Sequence, residues 1–204
     1  MKGIKQEESH TQRMARLMKE TGERIIKASG IIENQAETIR ALIALFDKIK
    51  STGKGKILVL GWGRSGFMGK ACAMRLMHLG FEVYVIGETI APGATPNDLV
   101  IVVSGSGMTD PVIAELQRII REAETIKIIA FTSRTRSITG RLADLVIKVV
   151  GRETVVGTEK QARSEELPLG TEFETNVLAV LDALVQELKL FYKITNVEMQ
   201  KRHA

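Results

Sequence analysis

Five short runs rich in Val, Ile and Leu lie between residues 57 and 149, and they do not alternate apolar with polar. They are Ile57–Leu60, Glu82–Ile86, Leu99–Val103, Lys127–Thr132 and Leu145–Val149. A strand with one wet face alternates. A continuous apolar run is what a strand buried on both faces needs. Helix-like segments fill most of the gaps: Ser65–Leu79, Thr109–Glu124 and Ser137–Leu142. Strand, helix, strand in repetition makes a parallel sheet with right-handed crossovers and helices on both sides. The expected fold is therefore α/β, a five-stranded parallel sheet sandwiched by helices in doubly wound order.

Two loops in this frame carry chemistry. Gly61-Trp62-Gly63-Arg64-Ser65-Gly66 follows the first apolar run, and Ser104-Gly105-Ser106-Gly107-Met108-Thr109 follows the third. Strand, glycine loop, helix aims free backbone N–H groups and a helix dipole at an anion. In a doubly wound sheet the loops after strands one and three meet where the strand order reverses. Both then face one ligand. Gly61-x-Gly63-x-x-Gly66 also matches the dinucleotide fingerprint, with Glu88 placed as a ribose-binding acid after the next strand. Arg64 and Ser65 add a cation and a hydroxyl to the first loop, and Ser104, Ser106 and Thr109 add hydroxyls to the second. That content suits a phosphate monoester better than a pyrophosphate. Tight turning and close helix–strand packing is the plainer use of the glycines, but it does not account for the serines.

Around this core, residues 7–50 read as two helices. Met14, Leu17, Met18, Ile25 and Ile26 make one apolar set, and Ile39, Leu42, Ile43, Leu45, Phe46 and Ile49 the next, with Gly30 between them. Ser51–Gly55 is a break. Gly151–Pro168 shows no periodicity, and connections of that length often line sites. A strong helix runs from Thr171 to Phe191, and Asn196–Ala204 reads as a short helical tail. The division expected is one domain over 1–204: N-terminal helices 1–52, α/β core 56–150, and C-terminal helix and tail 170–204.

Composition excludes several alternatives. With 44 % hydrophobic and 26 % charged residues, the chain is not disordered overall. The excess of basic residues, 29 against 24 acidic, is dispersed, and aromatics are only 4 %. Few platforms remain for stacking bases, so a small anion is expected rather than nucleic acid. No apolar run approaches the roughly 18 residues that span a bilayer, so no membrane association is expected. The single cysteine, Cys72, sits in a helix and reads as core filler. With no disulfide and no export signal in the leader, a cytoplasmic location is expected.

At the loops the chain resembles a known family. Gly63-Arg64-Ser65-Gly66-Phe67-Met68, Ala73-Met74-Arg75-Leu76-Met77-His78-Leu79-Gly80, Val85-Ile86-Gly87-Glu88-Thr89, Ser104–Thr109, Leu167-Pro168-Leu169-Gly170-Thr171-Glu172-Phe173-Glu174 and Lys201-Arg202-His203-Ala204 are together similar to the sugar isomerase (SIS) domain family, in its 6-phospho-3-hexuloisomerase branch. The similarity runs from about residue 30 to the end, and the N-terminal helix is longer than in that family. The resemblance implies a flavodoxin-like strand order and a homotetramer. It implies interconversion of D-arabino-3-hexulose 6-phosphate and D-fructose 6-phosphate in the ribulose monophosphate pathway, coupled to 3-hexulose-6-phosphate synthase in formaldehyde fixation or its reverse.

That reaction needs no redox cofactor and no metal, only a base and donors that steady enediolate oxygens. The resemblance points to Glu174 as the base. Thr171-x-x-Glu174 is also a capping box for the last long helix, and Glu172 is the alternative carboxylate. The tail's His203 would shuttle a proton, at its own or a neighbouring subunit's site. Gly63, Arg64, Ser65, Glu88, Thr89, Ser104, Gly105, Ser106 and Thr109 would hold the phosphorylated hexulose. His78 reads first as a packing residue and second as a substrate contact. A sugar-phosphate-sensing module without catalysis, and a dinucleotide-dependent oxidoreductase, are the competing functions.

Overall fold

A computed structural model describes residues 8–151, 168 and 170–203. Most of the aperiodic stretch from Gly151 to Pro168 lies outside the described residues, as do the first residues of the leader and Ala204.

Each apolar run forms a strand: β1 (Ile57–Gly61), β2 (Val83–Val85), β3 (Leu99–Val103), β4 (Lys127–Thr132) and β5 (Leu145–Lys148). All neighbouring pairs are parallel, in the order β2-β1-β3-β4-β5. This is the flavodoxin-like order, and the reversal falls between β1 and β3. Gly61 is in register with Val103 there, so the two glycine loops leave the same sheet edge side by side.

The missing alternation has a simple cause. Ile57, Val59, Leu99, Ile101 and Val103 face one apolar core, while Leu58, Leu60, Val100 and Val102 face the other. On the first side pack α2 (Ala36–Thr52), α3 (Gly63–His78) and α6 (Thr171–Phe191). On the second packs α4 (Asp110–Glu122), with the end of α5 (Ile138–Leu142) beside it. A further helix, α1 (His10–Glu33), precedes these, and α7 (Asn196–Gln200) follows them.

At the opposite sheet edge from the loops, Asp98 receives Lys56 Nζ at 2.6 Å and the Lys56 and Thr95 backbone N–H groups. Burial pushes this carboxyl up, but the bonds from Lys56 and Thr95 outweigh it and hold the carboxyl below its usual range. The pair ties the starts of β1 and β3 together.

The N-terminal helices depart from expectation in one respect. The break is not at Gly30, which lies inside α1, but at Asn34-Gln35. The Gln35 side chain accepts from Lys148 N at 2.8 Å and donates to Lys148 O at 2.9 Å, a hydrogen-bonded clip onto β5. A long-range clip of this kind leaves no local signature in the sequence.

Candidate active site

The first loop becomes the N-terminus of α3. Gly63 takes a left-handed φ of 57°, which turns the chain from Trp62 into the helix. Gly61 and Gly66 make the close approach: a Cβ on Gly61 would lie 2.9 Å from Gly66 Cα. Packing is therefore the job of those two glycines. The first-turn N–H groups of Gly63, Arg64 and Ser65 have no acceptor within the helix and carry its positive dipole end. The Ser65 hydroxyl has no hydrogen-bond partner among the described residues.

The second loop is braced from within. Ser104 is buried, and its hydroxyl accepts from Gly107 N at 3.2 Å. Ser106 accepts from Met108 N, also at 3.2 Å. Thr109 is the N-cap residue of α4 but makes no side-chain cap bond, so its hydroxyl stays half-buried and unengaged among the described residues. Of the hydroxyls expected to meet a phosphate, Ser65 and Thr109 are open, and Ser106 keeps its own proton to donate. Ser104 holds the turn.

Gly105 has a different role from the one expected. A Cβ there would sit 2.8 Å from the Phe173 ring, and a Cβ on Gly151 would sit 3.0 Å from Phe173 Cβ. The missing side chains let Phe173 at the head of α6 press onto the second loop. Ser133 Oγ donates to Gly105 O at 2.7 Å, and Ser133 N donates to the same oxygen at 3.2 Å. Ser133, and the packing of Phe173 on the second loop, escaped the sequence reading. The signal for Ser133 was available, since Thr132-Ser133 is a further hydroxyl pair at the end of a parallel strand beside β3.

This docking positions Glu174. The expected capping box is absent: the N-cap of α6 is Gly170, in left-handed conformation with φ 86°, and no side chain caps it. Thr171 is then the first helical residue. The Glu174 carboxylate turns instead to Arg64 of the first loop, whose Nε lies 2.5 Å from Oε2. Its other oxygen, Oε1, lies 2.9 Å from where a Cβ on Gly170 would be. Glu174 is 7 % exposed, while Glu172 is half-buried one position before Phe173. So a buried carboxylate is touched by a largely exposed cation of the first loop, one residue after the Phe173 that presses on the second.

The remaining expected residues lie elsewhere. Glu88 and Thr89 are exposed beyond β2, and the Glu88 carboxylate pairs with Lys70 Nζ. His78 is at the far end of α3, about 20 Å from Arg64 at 1.5 Å per residue. It is 3 % exposed, and its ring stands 5.0 Å from that of His203. Arg202 Nη1 donates to His78 O at 3.3 Å. Within one chain the structure therefore pairs His203 with His78 and not with Glu174. Burial, then the charges of His203 and Arg75, lower the His78 pKa. Burial pushes the Cys72 thiol up to about 12, consistent with core filler.

Comparison with known proteins follows the geometry. The SIS domain model matches residues 52–163. An uncharacterised protein of Archaeoglobus fulgidus is 41 % identical over 174 residues, which cover 82 % of this chain and 87 % of the relative. A 3-hexulose-6-phosphate isomerase of Methanocaldococcus jannaschii is 36 % identical over 165 residues, covering 80 % of this chain and 82 % of the relative. A solved structure of a Methanococcus jannaschii protein, for which a 3-hexulose-6-phosphate isomerase function was inferred, superposes with TM-score 0.76 at 30 % identity, over 93 % of this chain and 98 % of that one.

Proposed function

The chain belongs to the SIS domain family, and from that premise we propose that it is a phosphosugar isomerase acting on D-arabino-3-hexulose 6-phosphate and D-fructose 6-phosphate. The observation that carries this reading is the Glu174 carboxylate, buried and held by Arg64 of the first of two glycine loops that suit a phosphate monoester. The names of its relatives support the substrate class.

The chemistry is a proton shift between adjacent carbons. Glu174 takes the proton from C2 of the 3-ketose, giving a 2,3-enediolate. The same carboxyl returns it to C3, while a proton moves from O2 to O3, and the carbonyl ends at C2. The open N–H groups at the start of α3, with Ser65, Ser106 and Thr109, receive the phosphate. Arg64 links the two tasks. A phosphate dianion arriving at the loop competes with Glu174 for the same guanidinium, so substrate binding frees the carboxylate for proton transfer.

Glu88 and Thr89, exposed beyond β2, are assigned to holding the sugar on the family resemblance alone. His203, next to His78, serves the oxygen-to-oxygen proton or the opening of the fructose 6-phosphate ring. Because His78 and Arg64 lie at opposite ends of α3, it does so at the site of a neighbouring subunit in a homotetramer. The 3-ketose cannot close a five-membered ring with O6 phosphorylated, so the ring-opening role matters only in the direction from fructose 6-phosphate. In the cell the enzyme would work in the cytoplasm beside the synthase of the ribulose monophosphate pathway.

The test couples two reactions. Purified protein, fructose 6-phosphate and 3-hexulose-6-phosphate synthase together release formaldehyde and ribulose 5-phosphate, and neither protein does so alone. Absence of formaldehyde with both present refutes the substrate assignment.

A further inference from the structure

The last carbonyls of α3 are only partly satisfied by the backbone that follows them. Leu79 N donates to Arg75 O at 3.1 Å, Gly80 N to Met77 O at 2.8 Å and Phe81 N to Leu76 O at 3.2 Å, the turned-back pattern of a helix closed by a left-handed glycine. His78 O and Leu79 O lie outside that pattern. Two cations from distant elements reach them. Lys50 Nζ, from α2, donates to Leu79 O at 2.9 Å, and Arg202 Nη1, from the tail, donates to His78 O at 3.3 Å. The negative end of the helix dipole favours positive charge at this point.

Arg202 is fitted to this place. The same Nη1 donates to Glu198 O at 3.3 Å, so one nitrogen ties the short α7 to the last turn of α3. Its guanidinium lies over Gly80, where a Cβ would stand 3.2 Å from both Cζ and Nη2. The rest of the tail delivers the arginine there. Thr195 and Glu198 form a capping box at the head of α7, and Ile194 and Met199 pack against the first core. One residue on, the His203 ring stands 5.0 Å from that of buried His78, with 31° between the planes. Consecutive tail residues thus meet the carbonyl and the ring of one buried histidine.

We propose that Arg202 is a positioning residue for the isomerisation: it pins the tail to the end of α3 and so sets the place from which the His203 imidazole reaches a sugar oxygen. This rests on the reading of His203 as a proton carrier. Arg202 itself touches no substrate in this role. A reacting group misplaced by about 1 Å loses on the order of 100-fold in rate. The arginine is exposed, and exposed bonds from a cation to helix-end carbonyls contribute modestly to stability. Turnover therefore depends on Arg202 far more than folding does.

Two readouts test this, and one of them is independent of turnover. The chain holds three histidines, so the ring signals in nuclear magnetic resonance of histidine-labelled protein are assigned by single substitutions. Arg202→Ala moves the signals of His203 and His78, and Arg202→Lys, which keeps a cation able to reach one carbonyl, returns them part of the way. In the coupled assay with fructose 6-phosphate and the synthase, Arg202→Ala lowers kcat by about tenfold or more, with KM nearly unchanged and the thermal melt close to wild type. Arg202→Lys restores part of that loss. Adding Arg202→Ala to His203→Gln costs no further turnover, because both changes act through one imidazole. Unmoved ring signals in Arg202→Ala overturn the proposal whether or not the isomerase reading holds. Wild-type kcat in Arg202→Ala while His203→Gln has lost turnover, or additive losses in the double variant, overturn it and leave the isomerase reading standing. Full turnover in His203→Gln removes the role of the histidine and the proposal with it.

Discussion

Glu174 fits two sequence patterns, and the structure removes one of them. Its spacing from Thr171 fits a capping box, yet Gly170 takes the cap position in left-handed conformation and moves Thr171 into the first turn. The dipeptide before the helix held the clue, since a glycine at that point can start the helix one residue early. The Arg64 contact had no such clue, because it joins residues 110 apart in sequence. Gly170 is therefore a sensitive position. Gly170→Ala adds the left-handed cost of about 1–2 kcal/mol and places a Cβ against Glu174 Oε1. The expected result is a modest drop in thermal stability with a larger fall in kcat than rise in KM. A variant with wild-type kcat would show that the carboxylate's position does not matter to turnover.

At the scale of elements, strands and long helices were legible because their signals are local. β3, β4 and α6 lie where the apolar runs and the periodicity put them. What holds the elements to one another was not legible. The Phe173 ring against Gly105 is such a joint, and it carries the head of α6 onto the second loop. Gly105→Ala overpacks it, with an expected loss of about 1–3 kcal/mol, read by thermal melts together with a lowered kcat/KM. Replacing Phe173 by Leu in that background recovers part of both.

The C-terminal tail is a second joint, resting on a histidine buried at the end of α3. The His78 pKa is lowered in the fold, chiefly by burial, so the unfolded chain binds the proton more readily. Stability then rises with pH across the interval below the unfolded value of about 6.5 and is lost as pH falls through it. Melting temperatures measured from about pH 5 to 7 should climb, and His78→Phe should flatten that climb. An identical slope in the variant would place the pH dependence elsewhere.

For the whole molecule, the sheet order decides where chemistry can occur. A parallel order with its reversal between β1 and β3 brings the two glycine loops together, and α6 delivers a carboxylate to the same point. The sequence already set the two loops side by side at the switch point; what only the fold shows is that the Glu174 carboxylate reaches Arg64 of the first loop. It also shows that His203 lies with His78 at the other end of α3, which no spacing argument revealed. The most direct test is Glu174→Gln in the coupled assay with fructose 6-phosphate and the synthase, alongside calorimetric binding of fructose 6-phosphate. Formaldehyde release should fall by at least about 100-fold while binding is retained. Release at the wild-type rate would contradict proton transfer by this carboxylate.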